Sequence, residues 1–97
     1  MKKIFLSNAF SLQMLGEFPA SVRISEVSRE EIPVDAVSIV GHKDTAAVLG
    51  VPMNRQNITL KKGDVLYVAQ LQGGRLPEGA TSLPEGYSFK FLKVEVE

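Results

Sequence analysis

At 97 residues the chain suits one domain, spanning 1–97, with a single hydrophobic core, near the size at which burial only just exceeds the entropy cost of ordering. A composition of 44% apolar and 23% charged residues excludes a disordered chain, and eleven Lys and Arg against eleven Asp and Glu leave no bulk positive field for long nucleic acid. The absence of cysteine removes disulfides, thiolate nucleophiles and cysteine-based zinc sites, and fits a cytoplasmic home.

The N-terminal Met1-Lys2-Lys3-Ile4-Phe5-Leu6 holds too short an apolar run for a signal peptide or a membrane span. Lys3–Leu6 reads as a short buried strand ended by Ser7-Asn8. Phe10, Leu12, Met14, Leu15 and Phe18 then fit a helical face, with Asn8 or Ser11 as cap and Pro19 as stop. In such a strand–turn–helix unit the turn lies where ligands of α/β folds bind.

Ser21–Val27 alternates polar and apolar residues as a half-exposed strand does. Ser28 and Glu31 have capping-box spacing, but Pro33 interrupts the helical pattern beyond them, so the spacing predicts a short helix over Val34–Ile39. Gly41-His42 breaks the pattern. Asp44–Leu49 then forms one or two helical turns capped by Asp44 or Thr45 and closed by Gly50 and Pro52. His42 is the only histidine; it stands near that helix start, where free N–H groups attract phosphate.

Asn54–Leu60 and Asp64–Leu71 read as two strands of a hairpin turning at Lys61-Lys62-Gly63. Gln72–Pro84 is rich in glycine and proline and reads as a mobile loop or lid. Tyr87–Val96 alternates as a final strand. The expected fold class is α/β, a single domain with a mixed sheet of about five strands flanked by short helices.

Several stretches carry chemistry, each with a plainer reading beside it. Ser7–Ser11 puts small polar side chains before a helix, where they cradle phosphate or ribose or merely cap. Arg55 begins an expected strand. Arg75 and Glu78 lie in the glycine-rich loop, where an arginine can close over a phosphate with bidentate contacts or form a solvated surface pair. Gln70 reaches a base edge or an exposed neighbour. With one histidine and no cysteine, a metal site is poorly supplied, and neither a G-x-S-x-G elbow nor a P-loop is present. The chemistry left open is one in which the substrate brings its own nucleophile. An RNA 2′-hydroxyl does so, needing only positioning, charge stabilisation and one general acid worth about 10²–10⁴-fold.

Taken together, Ser7-Asn8-Ala9-Phe10-Ser11, Gly41-His42, Asn54-Arg55 through Leu60, and Tyr67-Val68-Ala69-Gln70 followed by Arg75-Leu76-Pro77-Glu78-Gly79 resemble the viral ring nuclease family of type III anti-CRISPR proteins. The resemblance spans nearly the whole chain. It departs from the family pattern in one added residue between Gln70 and Arg75 and a shorter helical region before His42. The resemblance implies a homodimer that degrades cyclic tetra-adenylate to linear di-adenylates without a metal or other cofactor, suppressing type III CRISPR signalling, in the host cytoplasm for a viral or phage-encoded protein. It gives His42 the role of general acid, with Arg75 and Glu78 assisting at the scissile phosphate. Asn8, Ser11, Gln13, Arg55, Ile58 and Gln70 match positions lining the ligand. Four phosphates would meet two copies each of Arg55 and Arg75 in a two-fold dimer. The alternatives are a non-enzymatic cyclic-nucleotide sponge and a small DNA-binding regulator of a mobile element.

Overall fold

The computed structural model describes residues 3–15 and 21–97. Five strands, β1 (Ile4–Ser7), β2 (Val22–Val27), β3 (Val37–Ser38), β4 (Val65–Gln72) and β5 (Ser88–Val96), form one mixed sheet in the order β2-β5-β4-β1-β3. Strand β1 runs parallel to both β3 and β4, while β5 runs antiparallel to β4 and β2. Among the described residues one α-helix, α1 (Lys43–Leu49), follows β3, and single 3-10 turns occupy Leu12–Met14 and Arg29–Glu31. The α/β class and the single mixed five-stranded sheet are as the sequence predicts.

The core follows from β4. Val65 to Ala69 are all buried, the continuous apolar run of a strand covered on both faces. Leu66 and Val68 join Phe5, Ile39, Leu60, Val94 and Val96 on one face, with Ile58 and Met14 packed over them. Val65, Tyr67 and Ala69 join Leu6, Val40, Ala46 and Leu49 on the other, beneath α1.

Three local expectations are corrected. Asn54–Thr59 is not a strand, and Leu60 makes only an isolated bridge to Leu15. The Lys61-Lys62-Gly63 turn forms, with Gly63 at φ +91° and the Asp64 N–H donating to the Lys61 carbonyl at 2.9 Å. It cannot close a hairpin, because β4 already has β1 on one edge and β5 on the other. The expected helix over Val34–Ile39 is instead β3, whose Val37 and Ser38 register with Phe5 and Leu6. Pairing with a buried strand outweighs a weak local helical pattern. The expected helix from Phe10 is, in its described part, the 3-10 turn Leu12–Met14, after which Leu15 pairs with Leu60; its extension to Phe18 and stop at Pro19 lie outside the described residues. Ser28 does begin a turn, its N–H donating to Glu31 Oε2 at 3.0 Å.

Buried Asp64, 3% exposed, ties the start of β4 to its neighbours. Its Oδ1 accepts the Lys3 N–H at 3.2 Å and its Oδ2 the Lys61 N–H at 2.9 Å. Among the described residues no helix is long and apolar enough to cross a membrane.

Candidate functional site

Because β1, β3 and β4 are parallel, their carboxyl ends open at one edge of the sheet, the place where α/β folds bind ligands. Three connections leave from it: Asn8–Ser11 after β1, Ile39–His42 after β3, and the Gly73–Tyr87 loop after β4. The Asn54–Ile58 segment runs alongside. Its Asn54 N–H donates to the Val40 carbonyl at 2.9 Å, and Asn54 Nδ2 to the Ser38 carbonyl at 3.0 Å. Ser38 is buried and donates from Oγ to the Pro52 carbonyl at 2.6 Å. Two side-chain amide and hydroxyl bonds thus fix where Arg55 starts.

Gly41 is the meeting point. Its N–H donates to Asn8 Oδ1 at 3.4 Å, and a Cβ placed on it would lie 3.4 Å from Arg55 Cγ. Asn8, Gly41 and Arg55 are thereby in one place, with exposed His42 next in the chain. His42 is itself the N-cap of α1, a role the sequence assigned to Asp44 or Thr45. Its Nδ1 accepts the Thr45 N–H at 3.2 Å and lies 3.1 Å from Thr45 Oγ1. In the neutral ring this bond leaves the proton on Nε2. In the imidazolium both ring nitrogens carry protons, and Nδ1 can then donate to Thr45 Oγ1 in place of accepting the Thr45 N–H. Buried Thr45 thus partners Nδ1 through its N–H or its hydroxyl, and among the described residues Nε2 has no hydrogen-bond partner.

On the same side of the sheet as Phe5 lies a cleft of about 380 Å³ lined by Ser7, Ser11, Gln13, Ile39, Gln56 and Ile58 among others. It brings Ser11, Gln13 and Ile58 together. Gln70 is exposed two residues from the end of β4, in register with Lys90, and belongs to the sheet face of Leu66 and Val68; it does not line the cleft.

The loop bearing Arg75 and Glu78 is docked against the domain. Its neck closes at Gly73, φ +111°, where a Cβ would meet the Gly86 carbonyl oxygen at 2.8 Å, so only glycine fits. Tyr87 donates from its hydroxyl to the Arg75 carbonyl at 3.0 Å, Leu76 is buried, and the Gly79 N–H donates to Asp44 Oδ1 at 3.2 Å. Arg75 and Glu78 side chains are exposed and, among the described residues, make no ion pair.

The structure thus gathers Asn8, Arg55 and His42 at Gly41, places Ser11, Gln13 and Ile58 in the adjoining cleft, and anchors the Arg75–Glu78 loop on α1. Sequence reading overlooked Thr45 as the partner of His42, Asn54 and Ser38 as supports of Arg55, and Tyr87 as a loop anchor. Only His42-x-x-Thr45, with N-cap-to-N3 spacing, left a signal. Among the described residues no three His, Asp or Glu side chains gather as a cation site.

A family model described as STIV B116-like matches residues 4–86. The fold is similar to that of B116 of Sulfolobus turreted icosahedral virus, with a TM-score of 0.79 and 24% sequence identity, covering 96% of this chain and 98% of that one. At that identity the likeness concerns the fold. No curated protein sequence matches the chain.

Proposed function

The chain belongs to the STIV B116-like family, and we propose that it is a metal-independent ring nuclease, cleaving cyclic tetra-adenylate to linear di-adenylates as a homodimer. The observation that carries this reading is the convergence at Gly41. Asn8 and Arg55 meet there beside an exposed imidazole whose Nδ1 is held by Thr45, so Nε2 is the nitrogen left to meet a substrate.

In the proposed reaction the ribose 2′-hydroxyl loses its proton to solvent water as its oxygen bonds to the adjacent phosphorus, and the bond to the 5′-oxygen breaks. His42 Nε2 gives its proton to that departing oxygen. The Arg75 guanidinium offsets charge on the phosphorus oxygens, and Glu78 assists beside it. Thr45 keeps the ring oriented as its proton count changes. Arg55 and Asn8 hold the ligand at Gly41, and Ser11, Gln13 and Ile58 receive a base or ribose in the cleft, with Gln70 at the strand end. Two copies of His42 make two cuts, leaving 2′,3′-cyclic phosphate or 3′-phosphate ends and free 5′-hydroxyls.

Single-turnover cleavage of radiolabelled cyclic tetra-adenylate in EDTA tests this. Cleavage that persists in EDTA and falls roughly a hundredfold or more in His42→Ala is the expected result. Products with 5′-phosphates would overturn the mechanism, because they require external water and a different leaving group. Tight binding without cleavage would identify a sponge.

A further inference from the structure

We propose that Asp44 is a positioning residue that fixes Glu78 by holding the backbone of the turn that presents it; the effect on cleavage rests on the ring-nuclease reading above, and the contact itself does not. Pro77-Glu78-Gly79-Ala80 is a β-turn, with the Ala80 N–H donating to the Pro77 carbonyl at 3.2 Å and Gly79 at φ +79°. Positive φ at the third residue is what a type II turn requires, and glycine meets it without strain. Glu78 is the second residue, so the peptide between Glu78 and Gly79 is the turn's central plane. Its N–H is the group that donates to Asp44 Oδ1.

The rest of the loop is held elsewhere, by the Gly73 neck, by Leu76 and by the Tyr87 hydroxyl on the Arg75 carbonyl. Those anchors fix Arg75. Among the described residues, the hydrogen bond joining the Glu78 turn to α1 is the one from Gly79 to Asp44. Asp44 lies between His42 and Thr45 in sequence, at the second position of the helix. One helical turn therefore carries the imidazole, the residue that orients it and the carboxylate that sets the loop. An ionised carboxylate accepts only, and its bond to an amide N–H is charge-assisted.

The test compares the natural chain with Asp44→Ala and Asp44→Asn. Both variants lose the negative charge near the helix N-terminus, but Asn keeps an oxygen that can accept from Gly79. Amide exchange at Gly79 should quicken about threefold to tenfold in D44A and stay near the natural rate in D44N. For cleavage of cyclic tetra-adenylate, kcat should fall about tenfold in D44A with KM little changed, and D44N should recover most of the loss. Unchanged Gly79 exchange in D44A would overturn the contact. Faster exchange with unchanged kcat would overturn the positioning role. If the natural chain does not cleave the nucleotide, the function fails and with it the catalytic consequence, while the exchange data still decide the contact.

Discussion

Replacing His42 should produce two separable losses, because the same ring caps a helix and is the proposed proton donor. Nδ1 accepts the Thr45 N–H at 3.2 Å, and α1 buries Thr45, Ala46 and Leu49 against the sheet. An N-cap side chain is worth about 1 kcal/mol, and in a domain of this size each kcal/mol moves the melting temperature by about 4–8 °C. His42→Ala should therefore melt several degrees lower than the natural chain. His42→Asn should not, since asparagine is among the best N-caps and its oxygen can take the same N–H. Loss of the general acid is indifferent to this repair. Both variants should cleave cyclic tetra-adenylate about 10²–10⁴-fold more slowly, or about 3–5 kcal/mol of barrier. Calorimetry on the three proteins and single-turnover rates at saturating protein read the two effects independently. Cleavage by H42N within tenfold of the natural rate would refute the proton-donor role, and equal melting of H42N and H42A would refute the contribution of the cap.

Asp64→Ala should lower stability by about 2–4 kcal/mol, because it strands the Lys3 and Lys61 N–H groups that now meet a buried carboxylate; Asp64→Asn should cost about half as much, and urea titration that finds the two equal would contradict the assignment. Gly73→Ala should cost about 1–3 kcal/mol, since its Cβ would press on the Gly86 carbonyl oxygen in a backbone region that side chains avoid, and a melting curve matching the natural chain would show that the neck can open freely. Arg55→Ala should weaken binding of cyclic tetra-adenylate about tenfold or more at moderate salt, with Arg55→Lys recovering only part, and unchanged affinity by titration calorimetry would remove Arg55 from the ligand site.

Legibility in the sequence tracked how local each determinant is. The alternation of Val22–Val27 and Ser88–Val96, the apolar run of β4 and the Gly50 stop of α1 are written within their own windows, and each element lies within a residue or two of its expected limits. Strand β3 is two residues long and exists through its partner β1, so no periodicity could mark it. The Asn54–Leu60 hairpin failed for a related reason: the turn signal was sound, but both edges of β4 were taken by segments distant in sequence. At the site, Gly41-His42 stood out as a break before a helix. That the histidine itself is the cap, with Thr45 behind it, ran against the usual preference for Ser, Thr, Asp or Asn. The likeness to a known family singled out Arg75 and Glu78. It did not reveal what holds their loop, which depends on Asp44, 35 residues away from Gly79.

The position of β1 in the sheet also bears on how the molecule is made. Ile4 pairs with Val65, and the Lys3 amide meets a carboxylate 61 residues further on. At a synthesis rate of about 5–20 residues per second, the ribosome takes roughly 3–14 s to travel from Ile4 to the end of β4. During that interval the apolar strand β1 lacks the neighbour it has on that side in the folded domain. Pairing of β4 with β1 adds the third parallel strand, whose carboxyl end completes the edge that holds the candidate site. A nascent chain halted before β4 therefore carries no complete version of that edge.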